Sequence, residues 1–286
     1  MKKIAVIDIG SNSVRLMFVA DGKILYKDLE ITRLGEGLAS AGVLSKEAIH
    51  RTATAVAGFY RRALSEGAES VNAFATAAVR SAANGSEFVR EVRSLCGLSV
   101  EVISGEEEAE IGILGALGEK DGGIIDVGGA STEIIVREGG AIVYKKSVDV
   151  GVVRLKDVCG RDCSALSAYA GKAVLAFGEI PRARVYAIGG TATSLASIVL
   201  KQKVYNGAEV TGFALTEADL EKAVEYLSST PAAQVSEETC VPLKRAEVIL
   251  GGAIWLLTVV RSLQMGSIIV SDADNLEGYA VKHKLM

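Results

Sequence analysis

The chain has 286 residues and a net charge of −4, with 31 glycines against 3 prolines, four cysteines and two histidines. A soluble domain takes roughly 100–200 residues, so the length accommodates two, and abundant glycine with scarce proline points to turn-rich α/β domains. The cysteine count excludes a disulfide framework, the histidine count excludes His-based triads and His-rich metal sites, and the mild negative charge argues against broad nucleic-acid wrapping while permitting a local basic pocket.

The chain opens on Lys2-Lys3 and an apolar run that Asp8 cuts to IAVI, with no small-residue cleavage site after it. This reads as a strand rather than a secretory signal, and a cytoplasmic location is expected. Residues 7–27 (IDIGSNSVRLMFVADGKILYK) lie over 125–145 (IDVGGASTEIIVREGGAIVYK) without a gap, eight of 21 positions being identical. Unrelated sequences would share roughly one or two. Each copy reads as an apolar strand ending in Asp, a small-residue turn, a second strand, a turn at Asp21-Gly22 or Gly139-Gly140, and a third strand. After the first meander, Ser45 caps a helix carrying Ile49, Val56, Phe59 and Leu64; strands over 71–75 and 100–103 flank a helix over 87–95, and another helix begins near Glu106. The segment 118–123 marks the join. Helices over 166–177, 191–200, 217–227 and 245–263 follow, with strands over 185–188 and 267–270 and a capping box at Thr216 and Asp219. The expected organisation is two α/β domains, 1–118 and 119–286, facing each other across a cleft, with the last helix, about 274–286, packing back on the first. The apolar window 248–260 has 13 residues, fewer than the roughly 18–20 that span a bilayer. A buried core helix is favoured there over a homodimer surface, and no membrane partner is expected.

A strand ending in Asp before Gly and small hydroxyl residues suits phosphate binding. Glycine removes the Cβ that would block a phosphate, the turn aims backbone N–H groups outward, a hydroxyl adds a donor, and Asp can hold a metal-bound water. Asp8 with Gly10, Ser11, Asn12 and Ser13 supplies this set, as does Asp126 with Gly128, Gly129, Ala130, Ser131 and Thr132. Either alone reads equally as an ordinary β-turn; two copies in register favour the phosphate reading. Gly189-Gly190 forms a third small-residue turn at a helix N-terminus. Arg15 and Glu133 occupy equivalent repeat positions within strands. Glu106-Glu107-Glu108 opens a helix, where acidic residues oppose the helix dipole; Glu108 lies above the small-residue face of Ile111, Gly112 and Gly115. Arg80 follows a strand in a polar turn, and the local pattern leaves open whether it faces solvent or a ligand.

The segments IDIGSNSVRLM, RLGEGL, ATAAVRSAAN, VISGEEEAEIGILG, IDVGGASTEI and IGGTATSLA, in this order, resemble the exopolyphosphatase and guanosine pentaphosphate phosphohydrolase (Ppx/GppA) family over essentially the whole chain. The resemblance implies two ribonuclease-H-like domains of the actin, heat-shock chaperone and sugar-kinase superfamily, in the two-domain form without the additional C-terminal helical region of larger members. It implies Mg²⁺-dependent hydrolysis of a terminal phosphoanhydride, with inorganic polyphosphate or guanosine pentaphosphate as substrate and no nucleic-acid partner. The implied roles are Glu108 as the base for water, Arg80 on the terminal phosphoryl group, Asp126 and Glu133 on Mg²⁺, and Asp8 on metal-bound water. The donors would come from Gly10, Ser11, Asn12 and Ser13 and from Gly128, Gly129, Ser131 and Thr132. Two departures stand out: Ala130 replaces the family's third loop glycine, and Leu276 replaces an arginine of the terminal S-D-G-A-L-R-E-G pattern. Their expected consequences are a narrower pocket and one fewer basic contact, which keeps a catalytically weak polyphosphate or nucleotide sensor as an alternative.

Overall fold

The computed structural model describes residues 2–264 and 266–286. The chain divides into two compact units, Met1–Gly115 with Asn275–Met286, and Ala116–Asp274.

In the first unit, strands β1 (Lys3–Ile9), β2 (Ser13–Ala20) and β3 (Lys23–Ile31) form an antiparallel meander. Strands β4 (Ser70–Ala75) and β5 (Val100–Val102) continue the sheet in parallel, giving the order β3-β2-β1-β4-β5. Alternate side chains of a strand point to opposite faces, so β1, apolar at successive positions, is buried on both. Ala5, Ile7 and Ile9 share a core with Ile49, Val56 and Phe59 of the helix Lys46–Ser65, while Ile4 and Val6 pack with Phe74, Ile103 and Ile111. That helix starts where Ser45 Oγ accepts from the Ala48 amide at 3.1 Å. Leu64, expected on its apolar face, is exposed; Ala63 fills the last buried turn.

The C-terminal helix Asn275–Lys282 belongs to this unit. Its Tyr279 ring stacks 4.6 Å from Phe74, and its hydroxyl donates to Glu101 at 2.9 Å. Lys282 bridges Glu107 and Glu110 at 2.8 Å each. Leu276, at the family's arginine position, is a buried member of the same core. The contact that sets the approach is Gly278. A Cβ there would lie 1.6 Å from the Ile111 carbonyl oxygen and 2.9 Å from the Gly115 amide nitrogen. The small-residue face that carries Ile111 and Gly115 therefore receives another helix backbone.

The second unit repeats the plan. Strands β6 (Gly122–Val127), β7 (Thr132–Glu138) and β8 (Ala141–Val148) form the meander, and β9 (Val185–Ile188), β10 (Ala214–Thr216) and β11 (Ser267–Val270) complete a sheet of order β10-β11-β9-β6-β7-β8. Apart from β10, the order β8-β7-β6-β9-β11 matches β3-β2-β1-β4-β5 strand for strand. Both units thus carry the ribonuclease-H-like topology. The extra strand, three residues long and antiparallel to β11, is too short to show a period in sequence. Thr216 at its end forms the capping box with Asp219 that starts the helix Glu217–Ser229. Among the described residues only the helix Leu243–Leu263 has the length and apolar composition to cross a membrane, and 72% of that stretch is buried. It carries the fully buried Trp255 and packs in the core with Val127, Leu166 and Leu195.

Gly278→Ala is expected to lower the stability of the first unit by about 1–3 kcal/mol or more, because neither backbone can retreat from the new methyl without undoing the helix contact. Urea denaturation checks this; an unchanged midpoint contradicts the close approach.

Candidate active site

In each unit the loops at the C-terminal ends of the parallel strands hold the residues singled out above, the edge where open α/β sheets bind ligands. In the first, β1 leads to Gly10–Ser13, β4 to Arg80 and β5 to Glu108. In the second, β6 leads to 128–131 and β9 to Gly189 and Gly190.

The two meander loops are built alike. Register runs Ile9↔Val14 in one and Val127↔Thr132 in the other, and each four-residue loop closes with the glycine amide donating to the serine carbonyl: Gly10 to Ser13 at 3.0 Å, Gly128 to Ser131 at 2.9 Å. The remaining carbonyls are anchored in the protein. Ser11 C=O accepts from the Gly35 amide, and Asn12 C=O from Thr32 and Arg33; Gly128 C=O accepts from Val152, and Gly129 C=O from Val153 and Arg154. Ala130 C=O takes Arg154 Nε at 3.1 Å. Every described peptide is trans, so the N–H that follows each anchored carbonyl points the opposite way. The amides of Asn12 and Ser13, and of Gly129, Ala130 and Ser131, are thereby turned away from the anchoring segments, an arrangement of N–H groups chemically able to receive an anion. The same contacts satisfy the first donors of the helix Val152–Cys159. Gly151 makes them sterically feasible, since a Cβ there would fall 2.4 Å from the Gly129 carbonyl carbon.

Three expected donors are corrected: the amides of Gly10 and Gly128 are spent closing their own loops, and the Thr132 hydroxyl is engaged in the core. The Thr132 hydroxyl is fully buried, donates to the Val150 carbonyl at 2.5 Å and accepts from Trp255 Nε1 at 2.8 Å. With its only proton engaged there, Thr132 ties the loop to the core helix instead of offering a side-chain donor. Ala130, the departure expected to narrow the pocket, is buried.

At the strand position seven residues after each Asp, the repeats diverge. Asp8 lies opposite Arg15 across β1 and β2, and Arg15 Nε and Nη2 both donate to its Oδ2. Asp126 lies opposite Glu133 across β6 and β7. Paired residues place their Cβ atoms about 4.5–5.5 Å apart on one face, and like charges so placed repel. Glu133 is buried and accepts from Ser147 Oγ at 2.6 Å. Gly189, with φ at +77°, passes beneath Asp126, and a Cβ there would lie 2.5 Å from Asp126 Oδ1. Two opposed hard oxygen donors beside a Cβ-free backbone fit a divalent cation. Among the described residues no three His, Cys, Asp or Glu side chains cluster as a metal site; Mg²⁺ commonly takes one or two carboxylates and completes its shell with water and phosphate oxygens.

Arg80 stands in the last turn of a short helix, Ala77–Ser81, rather than in a polar turn. Its Nη1 donates to the Ile103 carbonyl at 3.0 Å and to Glu108 Oε2 at 2.8 Å. Glu108 is buried in the first turn of Gly105–Leu117, whose start is defined by Ser104: Oγ accepts from Glu107 N at 3.1 Å and C=O from Glu108 N at 2.9 Å. Of the three glutamates, Glu106 is exposed and Glu107 is bound to Lys282. Sequence reasoning did not single out Arg245, whose guanidinium lies over Gly190, 2.7 Å from where a Cβ would be, and donates to Ser194 Oγ at 3.3 Å. Nor did it find Tyr205, which donates to Asp272 and is raised in pKa by burial first and then by that carboxylate. A lone Arg in an apolar helix carries no spacing signal.

The sequence profile of the Ppx/GppA phosphatase family matches residues 17–285, and the chain belongs to that family, hydrolases of phosphoanhydrides. Exopolyphosphatase 2 of Mycobacterium tuberculosis is 30% identical over 314 aligned positions, covering 98% of each chain. The guanosine-5'-triphosphate,3'-diphosphate pyrophosphatase of Photobacterium profundum is 37% identical over 158 positions, spanning 52% of this chain and 32% of that protein. The solved Aquifex aeolicus PPX-GPPA enzyme aligns at 30% identity with a TM-score of 0.77, covering 98% of this chain and 99% of its own.

Thr132→Val keeps the shape but strands the Val150 carbonyl and the Trp255 indole N–H. A loss of about 1–3 kcal/mol is expected, together with a shifted emission of Trp255, the single tryptophan. Unchanged unfolding and fluorescence would place the hydroxyl elsewhere.

Proposed function

We propose that this enzyme is a Mg²⁺-dependent, cytoplasmic exopolyphosphatase that removes orthophosphate from the end of inorganic polyphosphate. The observation that carries the reading is the Arg80–Glu108 pair at 2.8 Å, held at the same sheet edge as the Gly10–Ser13 nest. Support comes from the full-length similarity to a protein named Exopolyphosphatase 2.

In this reading the amides of Asn12, Ser13, Gly129, Ala130 and Ser131 bind phosphate oxygens. Arg80 holds the terminal phosphoryl group, and Glu108 orients a water. The water oxygen bonds to the terminal phosphorus, its proton passes to Glu108, and the bridging oxygen leaves with the shortened chain. Phosphoryl transfer has a loose transition state with charge on the equatorial oxygens, so fixed donors and positioning supply most of the rate. Asp126 and Glu133 are the residues that would hold Mg²⁺, and Asp8, neutralised by Arg15, would act through water. When bound, the cation neutralises phosphate charge. Guanosine pentaphosphate is the second substrate to weigh, because a relative named for that chemistry has the higher identity over half of this chain.

Phosphate release is to be measured from long and short polyphosphate and from guanosine pentaphosphate, with Mg²⁺ or chelator. Polyphosphate is expected to turn over faster than guanosine pentaphosphate, and chelator to abolish release. Glu108→Gln is expected to lower kcat by roughly 10²–10⁴ with polyphosphate binding retained. Full activity of the variant contradicts the assignment of the base; faster hydrolysis of guanosine pentaphosphate replaces the substrate; binding without turnover in the wild type makes the protein a sensor.

A further inference from the structure

A surface cavity of about 660 Å³ lies in the second unit, lined by Ile198, Val199, Ala223 and Tyr226 and by Lys201, Lys203 and Lys222. Its volume is in the range of small-molecule sites. It belongs to no part of the machinery described above. Ile198 and Val199 end the helix Gly189–Val199, and eleven residues at 1.5 Å each place that end about 15 Å from Gly189 and Asp126.

The lining divides by chemistry. Ile198, Val199 and Ala223 present apolar surface, and the Tyr226 ring adds a flat face. The two acidic residues at the rim are already engaged. Asp219 accepts from the Thr216 amide and hydroxyl at 3.1 and 2.6 Å, and Glu238 accepts from Tyr226 at 2.8 Å and Gln234 at 2.7 Å. Gln234 first, then Tyr226, holds the Glu238 carboxyl below its ordinary range, while burial and Glu238 push the Tyr226 phenol up to about 12. Tyr226 is therefore a neutral donor at neutral pH, committed to Glu238. Lys203 also attracts Glu238 and helps to hold its carboxyl down; among the described residues no closer ion pair is formed by Lys201, Lys203 or Lys222. Three lysines, each ammonium carrying three donors, thus line a cavity that also has an apolar wall of Ile198, Val199 and Ala223 and two carboxylates, Asp219 and Glu238, engaged elsewhere.

We propose that this cavity is a second ligand site that takes an organic phosphate, with a multiply charged phosphate head on Lys201, Lys203 and Lys222 and a flat ring against Tyr226, Ile198, Val199 and Ala223. Unbranched polyphosphate satisfies the lysines but leaves the apolar wall uncovered, which sets this site apart from the nests of Gly10–Ser13 and residues 128–131.

The probe is 8-azido-ADP, photolysed on the full-length protein, with the labelled peptides mapped by mass spectrometry. Saturable labelling is expected on the segments carrying Val199 and Tyr226. The Lys201→Ala, Lys203→Ala, Lys222→Ala triple variant is expected to lose it about tenfold or more, since a charge-assisted contact is worth about 1.5–3 kcal/mol. Arginine at the same three positions is expected to retain it. Label confined to the meander loops, label undiminished in the alanine variant, or no saturable label overturns the proposal. None of these outcomes bears on whether polyphosphate is hydrolysed.

Discussion

In both units the meander loop is held by its carbonyls. Once the oxygens of residues 11–12 or 128–130 are bonded to segments behind the loop, planarity of the peptide leaves the intervening amides only one direction to face. Other features follow from that constraint. The helix Val152–Cys159 begins where the carbonyls of Gly128 and Gly129 meet its first amides, Gly151 is required where that approach is tightest, and Thr132 pins the start of β7 to Trp255. Donors oriented by folding in this way need no reorganisation to meet an anion.

Duplication supplied two such loops and divergence gave them different electrostatics. One substitution at an equivalent strand position makes Asp8 an ion-pair partner of Arg15 and Asp126 a neighbour of Glu133. The first arrangement is internally neutral; the second gathers negative charge on one face and fits a cation. The Arg80–Glu108 pair has no counterpart arising from the repeat, since it depends on the helices that follow β4 and β5. The first unit also recruits the C-terminal helix, and there the backbone contact at Gly278 braces the same helix whose first turn presents Glu108. Packing at the C-terminal helix therefore bears on where the Glu108 carboxylate stands.

Much of this was legible in the residues. The 21-residue repeat located both meanders, and the uninterrupted apolar run IAVI marked β1 as an apolar strand. Ser45 and the Thr216–Asp219 box located helix starts. Other features left no local trace. Arg80 is read as a turn residue because five residues of helix are too few to show a period, and β10 is shorter still. Thr132 looked like a phosphate donor because small hydroxyl residues are common to nests and to cores; only Trp255, 123 positions away, decides which it is. Arg245 was invisible for the same reason, its partners Gly190 and Ser194 lying in another helix.

The sequence by itself determined the family, the doubled ribonuclease-H-like plan and the positions of the two glycine-serine loops, because those depend on local turn chemistry and on strand periodicity, both written in neighbouring residues. Tertiary structure alone decided which way the loop amides face, which hydroxyl is buried, that Glu108 and not Glu107 meets Arg80, and that three lysines from separate segments line one cavity. These depend on contacts between residues far apart in the chain, and the direction of a hydrogen bond across such a contact is set by packing, which no local pattern encodes.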